Sequence, residues 1–474
     1  MYITLFRSGP VKASRDANLF FHPGSPQVLE TGTATSNVTA EEREFWGQPD
    51  GMGYRPCIQF SLRYRRESRK IGREDRRFVV ALVSGGLNQQ RNQIVDAVIV
   101  ARILGAALVV PILRVNVVWG DPSEFSQIFD VDHFIQTLRS DVRVVPTLPP
   151  SHRSRPPTKA SLPRNVSPLW IRSRLAQKLN KNGVLVLKGL DSRLSRDLPL
   201  DLQKLRCKVA FHALRFAAPI RELGAKLANR MRGGGPYVAV HLRLEKDVWV
   251  RTGCLPGIGP EFDRVVLRER RSNPDLLTGR LNLTFHQRHQ AGLCPLNALQ
   301  VARLLRGLGA PNSTRVYWAG GEPLGGELAL QSLRSEFANL ISKGTLATAG
   351  ELTHYTNKSS ALAAIDFMVA MSSDVFVPSH GGNMARVMQG YRAYTGHMKY
   401  IRPNKHAIMH VLREAASGAT EEEIRREMRR VHAGRMGGPE ERGRKKGRDV
   451  IAYPAPECMC RRGRRRRRLL PLFV

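Results

Sequence analysis

The sequence predicts an α/β protein in which parallel β-sheets are flanked by helices. Short apolar, β-branched runs alternate with longer helical segments in both halves of the chain, a pattern typical of parallel sheets. Several of these runs end in a glycine turn that leads into a helix, as in a right-handed βαβ unit. A hydrophobic content of 42% is sufficient for sizeable cores and excludes wholesale disorder.

The first half of the chain is predicted to begin with an unstructured part. Residues 1–43 are rich in Ser, Thr and Gly without periodicity, so we expect a disordered leader, and residues 63–77 form a basic linker. The elements predicted next are a strand at 78–83, a glycine turn at 84–86, a helix at 87–104, a strand at 106–111, a Pro/Ser/Arg-rich loop at 151–168 and a strand at 184–188. They predict an N-terminal Rossmann-like domain over residues 44–215.

The second half repeats the alternation of strands and helices. The elements predicted here are a largely helical segment at 202–231, a strand at 237–242, a helix at 296–308, a strand at 315–319, helices at 326–337 and 359–371, a strand at 374–377 and a helix from 383 to 391. We expect a C-terminal Rossmann-like domain over residues 216–410 and a disordered basic tail over 411–474. Ligands of such folds bind beyond the carboxyl ends of the strands, here in a cleft between the two halves.

The charge of the chain indicates an anionic partner. The 75 Lys and Arg residues outnumber the 40 Asp and Glu residues, giving a formal net charge of +35. Residues 411–474 hold 18 of the basic and 9 of the acidic residues, so the rest of the chain is basic in its own right. Nucleotide phosphates, acidic polysaccharide, anionic lipid and nucleic acid all fit this charge. The arginines follow no RNA-binding signature, so we expect no specific nucleic-acid partner.

The sequence features that bear on cellular location disagree with one another. No apolar run approaches the roughly 20 residues that span a bilayer, and the first residues do not resemble a signal peptide. The six cysteines do not predict a disulfide scaffold or a zinc site. Five N-x-S/T sequons favour the secretory pathway instead; they begin at Asn37, Asn165, Asn282, Asn312 and Asn357. A missing N-terminal segment would reconcile these signals.

Three segments are candidates for a ligand site because each includes or directly follows the end of a predicted strand. Ser84-Gly85-Gly86-Leu87-Asn88 leads into a helix whose free N–H groups suit a phosphate, although it is neither a dinucleotide fingerprint nor a P-loop. His241-Leu242-Arg243 puts an arginine at a strand end, where it can hold a phosphate with two hydrogen bonds or pair with Glu245 or Asp247. The third segment runs from the strand at 374–377 through a glycine-rich turn to Asn383; Asp374 can accept hydrogen bonds from a guanine edge or simply begin the strand.

These segments, in this order, resemble the plant O-fucosyltransferase-like family, which is related to the GDP-fucose protein O-fucosyltransferases. The resemblance covers roughly residues 44–410. Its stretches are residues 84–96, 119–134, 237–254, 292–295 and 373–389. It implies a GT-B-like pair of Rossmann-type domains, inverting glycosyl transfer without a metal or other cofactor, and a GDP-fucose donor.

The resemblance also assigns roles to individual residues. Arg243 matches the arginine that holds the β-phosphate of the donor and neutralises the leaving group. Gly85, Gly86 and Asn88 would meet the diphosphate and sugar, and His241 would line the base pocket. Asp374 would accept hydrogen bonds from the guanine edge, and Gly382, Asn383 and Met384 would close on the phosphates.

One departure from the family concerns the general base. Some protein O-fucosyltransferases have a catalytic glutamate just before the glycine of the first loop, and the corresponding position here is Gly85. Inverting transfer normally needs a base to deprotonate the acceptor hydroxyl. The remaining carboxylate candidates are Asp96, Glu245 and Asp247.

The sequence therefore leaves several functions open. The first is fucosyl transfer from GDP-fucose to a hydroxyl of a protein or cell-wall glycan. The alternatives are rhamnosyl transfer from UDP-rhamnose to pectin and a non-catalytic protein that binds polyanions or glycans. The family and the sequons favour the Golgi or another lumenal compartment, with contact to the membrane only through an anchor that this chain does not contain.

Overall fold

The computed structural model describes residues 39–71, 73–115, 120–154, 156–278, 282–443 and 448–461. The disordered leader predicted for residues 1–43 lies mostly outside this part of the chain. So do residues 462–474, which contain the arginine run at the end of the sequence. The described residues from 41 onwards form one compact unit, so the predicted boundary at residue 215 stays a prediction.

Thirteen strands are present in the described residues. In chain order, β1 to β13 are Tyr54–Pro56, Phe78–Val83, Ala107–Val109, Ile112–Leu113, Val144–Val145, Thr158–Ser161, Val184–Lys188, Tyr237–His241, Arg315–Ala319, Leu340–Ser342, Val375–Pro378, Lys399–Tyr400 and Met459–Arg461.

Nineteen α-helices surround them in the same described part. In chain order, α1 to α19 are Ala40–Trp46, Leu62–Ile71, Leu87–Leu104, Phe125–Ile128, Val131–Leu138, Pro150–Arg153, Pro168–Asn182, Leu200–Lys208, Ala218–Gly233, Lys246–Thr252, Pro260–Ser272, Phe285–Gln290, Ala298–Gly307, Gly326–Glu336, Lys343–Leu346, Ser359–Met371, Asn383–Gly396, Lys405–Ala416 and Glu421–His432.

The first sheet confirms the predicted parallel α/β class. Its strand order is β5-β3-β2-β7-β6, and β4 pairs with the end of β2. All pairs are parallel, with Phe78 opposite both Ala107 and Val184. Strand β2 is apolar throughout and almost fully buried, as expected for the centre of a parallel sheet.

The second sheet has the order β10-β9-β8-β11-β12 and is also parallel. His241 at the end of β8 is opposite Pro378 on one side and Ala319 on the other. The residues that follow these three strands therefore emerge at one edge of the sheet. This edge holds two of the predicted ligand segments.

Helix α3 links the two sheets. It begins after Gly86, at the carboxyl end of β2, and ends at Gly105, whose φ of 61° permits the left-handed turn. Its residues are buried on almost every side, because it packs beneath the first sheet and also contacts α16 and α17. One continuous apolar core includes Val79 of the first sheet and Phe376 of the second.

The structure corrects two predictions about basic segments. Residues 62–71 of the expected linker form α2, because Tyr64 and Ser68 pack inward. In the expected tail over residues 411–474, residues 411–416 belong to α18 and residues 421–432 form α19, which buries Ile424 and Met428. Strand β13 then pairs antiparallel with β1. The prediction of a disordered tail is therefore wrong for the described part of residues 411–461.

The cysteines form three disulfides, which the cysteine spacing did not predict. The pairs are Cys57–Cys460, Cys207–Cys458 and Cys254–Cys294. Two of them tie the segment around β13 to Cys57, directly after β1, and to Cys207 in α8. Among the described residues, no helix combines the length and apolar character needed to cross a bilayer.

Candidate active site

Arg243 and the glycine turn at 379–384 lie side by side at the carboxyl edge of the second sheet. The Arg243 N–H donates to Ser379 Oγ (2.9 Å), and the Ser379 N–H donates to the His241 carbonyl (3.0 Å). Leu296 N also donates to the Ser379 carbonyl (2.9 Å). These bonds fix the backbone of the two predicted ligand segments relative to each other.

The Arg243 guanidinium is held at this edge by two carboxylates. Its Nε donates to Glu245 Oε2 at 3.3 Å, and one terminal nitrogen is 4.0 Å from Asp247 Oδ2. The side chain is 32% exposed, so the planar group can still bind an anion. Glu245 is fixed in turn by the Gly321 N–H at 3.1 Å.

The first glycine turn meets the second across the gap between the sheets. Asn88 Nδ2 lies 3.2 Å from Met384 Sδ, and Asn92 Nδ2 lies 3.4 Å from Asn383 Oδ1. Both asparagines are on α3, directly after the Ser84-Gly85-Gly86 turn. The structure thus brings together the first turn, the second turn and, through Ser379, Arg243.

Gly85 has a backbone conformation that explains its residue type. Its φ is +95°, which L side chains rarely adopt. A Cβ at this position would also be 2.5 Å from Gln89 Oε1. Gln89 Oε1 accepts the Gly86 N–H (3.2 Å), and Gln90 Nε2 donates to the Gly85 carbonyl (3.0 Å). The turn is therefore fixed in shape by the first residues of α3.

Positive charge and buried imidazoles surround Arg243. Burial lowers the pKa of His241 to about 3, and the nearby charges of Arg243, His380 and Lys343 act in the same direction. Burial likewise lowers the pKa of His380 to about 3, with Lys405 and Arg243 adding to the effect. Both imidazoles are neutral at neutral pH. Burial also lowers the pKa of Lys405 to about 8.

Lys343 and Asp366 are part of this edge, although the sequence did not predict either of them. Lys343 Nζ donates to Asp366 Oδ2 (2.9 Å) and to the Gly320 carbonyl (2.7 Å). Asp366 also accepts from Tyr317 OH (2.7 Å) and from the Gly320 N–H (3.2 Å). The available signal was a single carboxylate within the otherwise apolar helix α16.

Several buried polar atoms of this region have no hydrogen-bond partner in the described part of the chain. They include His241 Nδ1 and Asp247 Oδ2 on one side of the gap and Asn88 Oδ1 and Gln90 Oε1 on the other. Buried polar atoms are nearly always hydrogen-bonded in folded proteins. Orphaned atoms on both sides of the gap are the arrangement expected where a polar ligand completes the site.

Asp374 lies away from these groups, which argues against its predicted contact with a guanine edge. It directly precedes β11 and accepts the Tyr237 N–H at 3.0 Å, where β8 begins. Arg232 is 3.7 Å from its other oxygen. Asp374 is therefore at the amino-terminal edge of the strands, whereas Arg243 is at the carboxyl edge.

Asp96 is also separated from the site. It is 1% exposed on α3 and accepts the Arg193 N–H at 2.8 Å. Burial raises its pKa to about 7, against the opposing effect of Arg206. A side chain with this burial does not reach an acceptor in the cleft. Glu245 is at the site, but both of its oxygens are engaged by Arg243 and Gly321.

No group of three or more His, Cys, Asp or Glu side chains is placed to hold a metal ion within the described ranges. Metal-independent transfer stays a prediction.

Comparison with known proteins identifies the family. The sequence model of the family described as GDP-fucose protein O-fucosyltransferase matches residues 78–395. O-fucosyltransferase 37 of Arabidopsis thaliana is 59% identical over 436 residues, which cover 92% of this chain and 78% of that protein. O-fucosyltransferase 20 of the same plant is 51% identical over 465 residues, which cover 95% of this chain and 81% of that protein.

Solved structures show a more distant similarity. POFUT1 in complex with GDP-fucose is 14% identical, with a TM-score of 0.42, over 70% of this chain and 99% of that one. The α-1,6-fucosyltransferase NodZ soaked with GDP-fucose is 13% identical, with a TM-score of 0.39, over 69% of this chain and 95% of that one. The family match covers both glycine turns and Arg243. The chain belongs to the GDP-fucose protein O-fucosyltransferase family and is a glycosyltransferase.

Proposed function

We propose that this protein transfers fucose from GDP-fucose to a hydroxyl group of a protein or glycan, with inversion at the anomeric carbon and without a metal. The observation that carries the proposal is the position of Arg243 beside two convergent glycine turns. Membership of the GDP-fucose protein O-fucosyltransferase family supports GDP-fucose as the donor.

The proposed roles follow from the chemistry of the leaving group. Negative charge develops on the nucleoside diphosphate as the glycosidic C–O bond breaks, and a fixed guanidinium stabilises this charge best when its orientation is set beforehand. Glu245 and Ser379 set the orientation of Arg243. We therefore assign Arg243 to the diphosphate and Glu245 to positioning Arg243.

The remaining groups are suited to binding the donor. Gly85 and Gly86 let the diphosphate approach the start of α3, whose N–H groups favour anions. The orphaned Asn88 Oδ1 can accept from a sugar hydroxyl, and His241 Nδ1 can bond to the nucleotide. Gly382, Asn383 and Met384 close the opposite side. Three disulfides and the sequons support a lumenal, oxidising compartment such as the Golgi.

A donor panel tests the proposal. The melting temperature is measured with GDP, GDP-fucose, UDP and UDP-rhamnose, because a ligand that binds the folded state raises it. We expect stabilisation by the two guanine nucleotides and hydrolysis or transfer of fucose only from GDP-fucose. Stabilisation by the uridine nucleotides alone would overturn fucosyl transfer in favour of rhamnosyl transfer.

A further inference from the structure

Helix α2 presents an almost wholly cationic face to solvent. Its inward side carries Tyr64 and Ser68, which are buried. The residues on the outward side are all exposed; they are Leu62, Arg63, Arg65, Arg66, Glu67, Arg69 and Lys70. At 100° per residue these side chains cover more than half of the helix circumference. Five of the seven are cations, and one is an anion.

The position of α2 is fixed by Arg102 in the last turn of α3. Arg102 donates to the Tyr64 carbonyl and to Ser68 Oγ, both at 2.9 Å. Because α3 starts at the carboxyl end of β2 and runs back, its last turn lies where the strands of the first sheet begin. The Arg77 guanidinium, just before β2, confirms this by donating to the Gly105 carbonyl (3.0 Å).

Other exposed cations lie at the same amino-terminal edge. Arg73 and Arg76 precede β2, Arg139 follows α5 just before β5, and Lys181 is in the last turn of α7, just before β7. We call the set the basic face; it consists of Arg63, Arg65, Arg66, Arg69, Lys70, Arg73, Arg76, Arg139 and Lys181. Within the described residues, only Arg63 of this set is in an ion pair, with Glu67 (3.1 Å).

The basic face is too far from Arg243 and the glycine turns to bind the donor. Asn88 and Arg102 are fourteen residues apart on α3, which corresponds to about 21 Å along the helix. The diphosphate of a nucleotide sugar cannot span that distance. An anion that binds at this edge is therefore a partner other than the donor.

We propose that the basic face is a docking surface for an acidic polymer that carries carboxylates at regular intervals, such as an acidic polysaccharide. Arginines predominate in the set, and a planar guanidinium matches a carboxylate with two parallel hydrogen bonds. The apolar side of α2 is packed inward, so the helix has no apolar face to insert into a bilayer. The lack of an apolar face on α2 favours the polymer over a lipid surface, whereas the guanidinium geometry fits carboxylate and phosphate alike.

The proposal rests on the proposed function in one respect: the docked polymer is the acceptor. A polymer chain is long enough to extend from this edge to the site, whereas a small acceptor is not. The basic face then raises the local concentration of acceptor hydroxyl groups near the site without touching the donor.

Charge reversal on α2 tests the surface. The α2 variant carries Arg65→Glu, Arg66→Glu and Arg69→Glu. The control variant carries Arg264→Glu, Arg268→Glu and Arg271→Glu, which replace the same number of exposed arginines on α11. Binding of sodium polygalacturonate is measured at low and high NaCl. We expect the α2 variant to bind at least about tenfold more weakly with a smaller salt dependence, and the control to stay within about twofold of wild type.

Two outcomes would overturn the proposal. One is equal loss of binding in the control, which would show that the overall charge is responsible. The other is binding to phosphatidylserine-containing vesicles in preference to polygalacturonate.

Stabilisation by GDP-fucose is measured on the same variants and should be unchanged. If the wild type binds polygalacturonate through α2 but is not stabilised by GDP-fucose, the docking surface stands and the proposed donor fails. The converse result would reject the docking surface alone.

Discussion

Asn88 and Met384, which are 296 residues apart in sequence, meet where the two glycine turns converge, with Asn88 Nδ2 3.2 Å from Met384 Sδ. Asn88 follows the turn after β2, and Met384 follows the turn after β11. The contact makes the first residues of α3 and α17 one wall of the site. We therefore expect substrate binding on one side to be coupled to binding on the other.

The Asn88–Met384 contact should be measurable as a coupling free energy. Asn88→Ala removes both the N–H donor and the orphaned acceptor Oδ1, whereas Met384→Leu keeps the volume and removes only the sulfur. We expect a double-mutant cycle on GDP binding to give a coupling of about 0.5 kcal/mol or more. Strictly additive effects would show that the two turns bind independently.

Arg243 should be required for the reaction and not for folding. Arg243→Lys keeps the charge but loses the planar fork, and we expect kcat to fall by about 10²–10³ with an unchanged melting temperature. Lys246→Ala is a neighbouring control, since Lys246 is exposed and, among the residues the structure describes, forms an ion pair only with Glu269 (3.1 Å). A variant at 243 with near wild-type kcat would remove the guanidinium from the proposed mechanism.

Asp96 should make stability depend on pH. Its pKa is about 7 in the folded protein, because burial raises it, and about 3.9 when unfolded. Between these values the folded state binds more protons, so this group's contribution to stability falls as pH rises from 4 to 7. The effect is of the order of a few kcal/mol, since one pKa unit corresponds to about 1.4 kcal/mol.

Asp96→Asn removes that dependence. Urea unfolding at pH 5, 6.5 and 8 should show the variant gaining stability relative to wild type as the pH increases. His241 and His380, whose lowered pKa values act in the opposite direction below pH 6.5, are common to both proteins and cancel in the difference. A difference that is independent of pH would contradict a protonated Asp96.

Removal of two different disulfides should affect the free energy of unfolding and donor binding differently. Cys207→Ala/Cys458→Ala is expected to lower the free energy of unfolding by about 2–4 kcal/mol and to leave the donor KM unchanged. Cys254→Ala/Cys294→Ala should also raise KM, because Lys405 Nζ donates to the Cys294 carbonyl (2.6 Å) and Lys405 contacts His380 (3.2 Å). Equal KM values for the two variants would place Cys294 outside the site.

The elements of the α/β core could be predicted because each carries its own periodic signal. The sequence predicted β2, α3 and β7 with the bounds seen in the structure. Helix α2 was mistaken for a linker, since its charged residues hide the two that pack inward, Tyr64 and Ser68. The short strands β12 and β13 form by pairing with β11 and β1, and their own sequences carry no strand pattern.

The site could be predicted in part for a similar reason. Arg243, Asn88 and Met384 belong to segments that directly follow strands, and the parallel topology brings such segments together. Asp374 was placed on the wrong edge, because it precedes its strand rather than following it. Lys343 and Asp366 meet only through tertiary packing, which a single sequence does not reveal.

The two disulfides of the C-terminal segment also bear on synthesis of the chain. Cys57 and Cys207 join partners 403 and 251 residues further along, so neither bond can form before the segment around Cys458 and Cys460 has left the ribosome. Cys57, which follows β1, and Cys207, which is in α8, therefore stay free thiols while the residues before Cys458 are being translated. A chain terminated before Cys458 would keep both of them as free thiols.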